Sequence, residues 1–283
     1  MKSLLMSSKD QIRWAFNLKT FRPSLEDLLK ATSCIQAEEK TRLAKFVFRD
    51  DFDASLIGRL LMRKFVHETT NTPYSSIKFE RDSNGKPYFA QGNVDFNVSH
   101  QGSYSVLAGI GNSDTKTAIG VDVMKIEYTG GKSLDEFFRI MTRNFSSNEW
   151  EAIKNPSEKR EKVKNFMRHW CLKESYVKNI GVGITIDLQK ISFTTKEPLN
   201  AEKVITSTCL DVNNIPETNF LFEESLLDDD HIVAVALKHP KSPNVPQKFQ
   251  ILTFNELMEH SSPLLEHDID YCKAILAKEY KRQ

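Results

Sequence analysis

The chain has 283 residues, 40% of them hydrophobic and 10% aromatic, enough to bury one large core or two modest ones, so disorder as the main state is excluded. Its 39 Lys and Arg against 38 Asp and Glu leave a formal net charge of +1, which argues against a strongly basic nucleic-acid binder and against an acidic solvating tail. Cys34, Cys171, Cys209 and Cys272 lie far apart with no CxxC, as suits a reducing compartment, and no apolar run reaches the length of a membrane span or a signal core; a soluble cytoplasmic protein without membrane or nucleic-acid partners is expected. Residues 1–112 carry 16 Lys and Arg against 12 Asp and Glu, and residues 113–283 carry 23 against 26, so any anion site is better placed in the first half.

A strand-like start at Ile12 to Phe16 precedes two helices, the first with Ser24 as N-cap before Leu25, Leu28 and Leu29. From about Asp53, Phe52, Leu56, Ile57, Leu60, Leu61 and Phe65 fall at three- and four-residue steps, an apolar stripe backed by Arg59, Arg63 and Lys64. Asn84-Gly85 inside a run of turn formers signals a hairpin. Val94, Phe96 and Val98 alternate with polar residues, as do Tyr104, Val106, Ala108 and Ile110, so a second hairpin is expected there. Gly111 to Asp114 is the expected domain joint, after which Ile119, Val121 and Val123 form one strand face and Asp122 points to the other.

Residues 133–154 and 158–180 read as helices joined by a loop with Pro156, and strands are expected around 184–193, 218–224 and 231–237. The run from His231 to Leu237 is apolar enough for a central strand. A loop at 238–247, a strand and helix near 249–260 and a polar terminal helix complete the reading. Helices and strands are mixed in both halves, so the fold class is α+β with two subdomains, 1–112 and 113–260, and a tail at 261–283.

Gly130-Gly131-Lys132-Ser133 ends like a phosphate loop but has Ile126 where the motif needs glycine, Ser99-His100 lacks the surroundings of a hydrolase nucleophile, and the histidines have no zinc spacing. More informative are Phe166, Trp170, Glu174 and Lys178, which advance in steps of four along one helical face. A carboxylate continuing an aromatic stripe is expected to be partly buried and to need a cation or metal to stay ionised. Asp122, set between apolar strand neighbours, raises the same demand from another element. Two such carboxylates suit Mg²⁺, which takes one or two protein oxygens, waters and phosphate oxygens. Arg42, Arg81, Lys86 and His100 in the basic half are candidates for an anion.

Gly85-Lys86-Pro87, Phe96-Asn97-Val98-Ser99-His100, Ile119-Gly120-Val121-Asp122 and Trp170-Cys171-Leu172-Lys173-Glu174-Ser175-Tyr176-Val177-Lys178 resemble, in this order and spacing, the signature blocks of the 4′-phosphopantetheinyl transferases, the long monomeric class in particular. The likeness extends through Arg13-Trp14-Ala15-Phe16, Phe46-Val47-Phe48 and Gly181-Val182-Gly183 and covers roughly residues 12–260. It implies a pseudo-dimer of two similar α/β subdomains with the active site in the cleft between them. It also implies a monomeric enzyme that transfers the 4′-phosphopantetheine of coenzyme A to a serine of an apo acyl or peptidyl carrier protein, releasing adenosine 3′,5′-bisphosphate. By the family pattern Arg42, Arg81, Lys86, Asn97, Ser99 and His100 hold the nucleotide and its phosphates, with Glu174 and Lys178 also touching it. Asp122 and Glu174 would hold Mg²⁺, Lys178 would neutralise phosphate, and Glu174 would act as general base. Where some members have a third acid, two positions after the aspartate, this chain has Met124, which cannot ligate magnesium.

The resemblance further implies carrier domains of fatty acid synthase or of an aminoadipate-type reductase as partners; for an acidic carrier, the basic stretch Lys159, Arg160, Lys162, Lys164 and Arg168 is the candidate contact on charge. The alternatives are a coenzyme A or carrier-binding module without catalysis and a magnesium-dependent phosphohydrolase.

Overall fold

In a computed structural model, the described residues are 11–111, 117–128, 130–181, 186–240 and 245–281. The first stretch of chain takes β1 (Gln11–Asn17), α1 (Leu25–Ser33), α2 (Ala37–Leu43), α3 (Arg49–Thr70), the short pair β2 (Glu80–Arg81) and β3 (Pro87–Tyr88), and the hairpin β4 (Asp95–Gln101) and β5 (Tyr104–Ile110). It is followed by β6 (Ala118–Lys125), α4 (Leu134–Ile140), α5 (Ser147–Lys154), α6 (Lys159–Ile180), β7 (Ile191–Thr194), β8 (Cys209–Val212), β9 (Ile215–Pro216), β10 (Phe220–Asp228) and β11 (His231–Lys238). The chain ends with β12 (Gln250–Leu252), α7 (Phe254–Leu257) and α8 (Ile269–Leu276). This is an α+β arrangement in two compact units.

The first unit is a mixed sheet in the order β12-β1-β5-β4 with α3 against β4 and β5. Ser24 caps α1 through a reciprocal box with Asp27. The stripe of α3 is the core: Phe52, Leu56, Ile57, Leu60, Leu61 and Phe65 are fully buried. This helix begins at Arg49, a turn earlier than expected, because the Arg49 guanidinium pairs with Asp53 at 2.7 Å beneath the protein surface. Arg63 and Lys64 are buried too, correcting the expectation of a polar back; Arg63 satisfies the Tyr74 and Ile77 carbonyls at 2.8 and 2.9 Å. The β4–β5 hairpin and the Asn-Gly turn with Gly85 at φ +83° form as expected.

One boundary needs correction. The segment from Phe249 onward, assigned from sequence partly to the second subdomain and partly to a tail, belongs to the first unit. β12 pairs in parallel with β1, Trp14 opposite Gln250 and Phe16 opposite Leu252, while α8 packs on α1. The physical reason is that the open edge of β1 is completed by a strand from far along the chain. Of the expected joint at Gly111 to Asp114, residues 112–114 lie outside the described residues, as do Val182 and Gly183.

The second unit holds an antiparallel sheet β10-β11-β6, with β11 central as its apolar run predicts. The 22-residue α6 lies across β6 and β11. Phe137, Phe138, Phe145, Trp150 and Trp170 pack ring to ring around Phe166. The meander β7-β8-β9 includes two short strands not anticipated from sequence. Arg168, expected on the basic surface stretch, is instead buried and forked onto Glu224 at 2.7 and 2.9 Å. Among the described residues no helix is long and apolar enough to cross a membrane.

Candidate active site

The site is built on the contact between β6 and α6, and glycine at 120 makes that contact possible. A Cβ there would stand 2.1 Å from the Ser175 carbonyl and 2.5 Å from the Asn179 nitrogen. Both are main-chain atoms of α6, so no rotamer change relieves the clash. Asn179 clips the layers together, its Nδ2 donating to the Ala118 and Ala236 carbonyls at 2.8 Å each. The Cys171 thiol donates to the Asp122 carbonyl at 3.2 Å. Gly120→Ala should therefore destabilise the protein by more than the ~1–3 kcal/mol of ordinary overpacking. Denaturant unfolding checks this, and a variant within about 0.5 kcal/mol of wild type, the scatter of neutral substitutions, would contradict the contact.

This close packing brings Asp122 onto the face of α6 that carries Glu174 and Lys178. Asp122 is 3% exposed, and its Oδ1 accepts from Lys178 Nζ at 2.6 Å. Lys178 therefore reaches across from the helix to the strand. Glu174 is half-buried, continuing the Phe166 and Trp170 stripe as predicted. Burial pushes its carboxyl above the ordinary range, the negative charge of Asp122 adds to this, and Lys178 opposes it. Two carboxylates that repel one another beside the Lys178 ammonium form a hard-oxygen site. Among the described residues no group of three or more His, Cys, Asp or Glu could hold a metal; a pair of carboxylates is the donor set of a hard cation that takes one or two protein oxygens and keeps waters, as Mg²⁺ does. Met124, on the same face as Asp122, packs against the apolar cluster of the unit.

In the first unit, Arg81 lies on β2 and Lys86 in the turn segment that leads into β3 of the same hairpin. Arg81 donates to the Gly85 carbonyl at 2.7 Å, and Lys86 pairs with Asp95 at 3.0 Å, tying the hairpin to β4. Along β4, Asn97 and Ser99 share one face, while Val98 on the other packs at Gly58 of α3 and exposed His100 follows it. Arg42 is exposed on the last turn of α2. Sequence reasoning passed over Asn179, which only the three-dimensional packing reveals, whereas Gly120 inside a strand is a readable sign of close backbone approach.

Comparison with known proteins identifies the family. Residues 19–112 match the 4′-phosphopantetheinyl transferase N-terminal family, and residues 118–236 match the 4′-phosphopantetheinyl transferase superfamily. The L-aminoadipate-semialdehyde dehydrogenase-phosphopantetheinyl transferases of Mus musculus and Homo sapiens are each 39% identical, covering 93% of this chain and 90% of theirs. A phosphopantetheinyl transferase of Thraustochytrium sp. is 36% identical over 80% of this chain and 78% of its own. The chain belongs to the 4′-phosphopantetheinyl transferase superfamily and is an enzyme of that class.

Proposed function

We propose that this enzyme moves the phosphopantetheine arm of coenzyme A onto a serine hydroxyl of an apo carrier-protein domain, in a magnesium-dependent reaction that releases adenosine 3′,5′-bisphosphate. The observation that carries the reading is the group of Asp122, Glu174 and Lys178 on two tightly packed elements, hard oxygens for a metal beside a cation for phosphate. Asp122 and Glu174 are the metal-holding residues, and magnesium, when bound, supplies charge neutralisation on the pyrophosphate. Glu174 takes the serine proton directly or through water. The serine oxygen bonds to the pantetheine-side phosphorus as the bond to the bisphosphate oxygen breaks, and Lys178 offsets the growing negative charge.

Arg42, Arg81, Lys86, Asn97, Ser99 and His100 serve the nucleotide and its phosphates. Arg42→Ala should raise KM for coenzyme A by about ten- to a hundredfold with kcat little changed, from loss of about 1.5–3 kcal/mol of charged hydrogen bonding. A fall in kcat alone would remove Arg42 from the binding role. The protein is read as a cytoplasmic monomer, and the free thiols at Cys34, Cys171, Cys209 and Cys272 suit a reducing compartment.

The carrier partner, of the fatty acid synthase or aminoadipate-type reductase kind, docks as an acidic surface beside the start of α6. There an open pocket is lined by buried Ile126 and Val163, Tyr128 and exposed Lys159 and Arg160. Arg160 is already held by Asp230 at 2.9 Å, leaving Lys159 and Lys162 as the test positions. Reversing both charges should raise KM for the carrier and flatten its dependence on salt; unchanged KM would remove this patch. The reading is separated from hydrolysis by following bisphosphate release from coenzyme A. Release should require apo-carrier, and turnover without carrier would indicate water as the nucleophile.

A further inference from the structure

Arg42 and Arg81 stand on separate elements, α2 and β2, and both side chains are exposed. Long exposed cations bind a phosphate well only when their roots are held at a fixed separation. A single buried side chain, that of Gln36, connects the two roots. Its Oε1 accepts from the Phe79 N–H at 2.6 Å and its Nε2 donates to the Phe79 carbonyl at 3.3 Å, so it meets both main-chain groups of one residue as a neighbouring strand would. Phe79 lies two residues before Arg81 on the segment that leads into β2. Gln36 is also the N-cap residue of α2, its own N–H donating to Glu39 Oε2 at 3.1 Å, which fixes the start of the helix that carries Arg42.

The surroundings stiffen this link. Arg63, fully buried, holds the Tyr74 and Ile77 carbonyls just upstream of Phe79. Glu39 Oε1 lies 3.6 Å from Arg59 Nε, joining α2 to α3. Burial pushes Arg59 below its usual value, Glu39 opposes this, and the positive charges of Arg81 and then Arg42 add to it. Both arginines therefore act on one neighbourhood. We propose that Gln36 is a positioning residue that sets the separation of Arg42 and Arg81 and through it the affinity for a nucleotide phosphate. The proposal rests on the assignment of those two arginines to coenzyme A.

Two substitutions separate this role from helix capping. Gln36→Met keeps the volume and loses the Phe79 pairing; Gln36→Ser loses the pairing but supplies a strong N-cap, so α2 keeps its start. Each should raise KM for coenzyme A about five- to twentyfold with kcat within about twofold, a binding loss without a chemical one. Combined with Arg81→Ala, either should add less than about twofold, because the positioned group is already gone. Wild-type KM in a folded Gln36 variant, or fully multiplicative losses in the double variant, would overturn the proposal. Failure of the underlying assignment is seen separately: Arg42→Ala and Arg81→Ala would then both leave KM for coenzyme A unchanged.

Discussion

Asp122→Ala is expected to lower phosphopantetheine transfer by about 10³-fold or more, corresponding to several kcal/mol of charge stabilisation on the reacting phosphates. The buried Asp122 carboxylate pairs with Lys178 and lies close enough to Glu174 to raise that residue's pKa. Removing it takes away one of the two carboxylates proposed to hold the metal and the ion pair with Lys178. The Lys178 side chain is 28% exposed, so it can turn toward water, and the cost to the fold should be well below the ~3–5 kcal/mol of leaving a fully buried charge unpaired. Asp122→Asn preserves the shape and should lose nearly as much activity. Transfer assays read beside thermal unfolding decide the matter. A folded Asp122→Ala protein that keeps more than about a tenth of wild-type activity, or a wild type active in excess chelator, would contradict the metal role.

Glu174→Gln should lower the single-turnover rate by about 10²–10⁴-fold, the usual effect of losing a general base. Glutamine keeps the size and one oxygen, so coenzyme A binding should persist, but it cannot take the serine proton. With the proposed base on α6 one turn before Lys178, a single helix would hold both the proton acceptor and the cation for phosphate. That helix is fixed to β6 by the Asn179 and Cys171 hydrogen bonds, so the substitution changes chemistry more than geometry. The rate should be measured at saturating coenzyme A and magnesium. A variant nearly as fast as wild type would leave Glu174 as a ligand at most.

What could be read from the sequence was whatever has a local period. The four-residue steps of Phe166, Trp170, Glu174 and Lys178 already imply a half-buried acid on an aromatic stripe. A strand aspartate between valines likewise implies a buried carboxylate in need of a partner, and Asp122 has one in Lys178. What local pattern cannot encode is pairing at a distance. The parallel return of β12 to β1 reassigns the end of the chain. Arg63 and Arg168 look like surface cations at their helical positions, yet their guanidinium groups are spent on distant carbonyls and on Glu224. Gln36 gave no sign either, because its partners are the main-chain atoms of a residue on another segment.

The most direct test of the account is the intact mass of an apo carrier-protein domain after incubation with this protein, coenzyme A and magnesium. The carrier should gain the mass of one phosphopantetheine arm, a gain lost when its acceptor serine is replaced and lost with Asp122→Ala. A carrier of unchanged mass alongside consumed coenzyme A would contradict group transfer and leave hydrolysis as the reaction of this site.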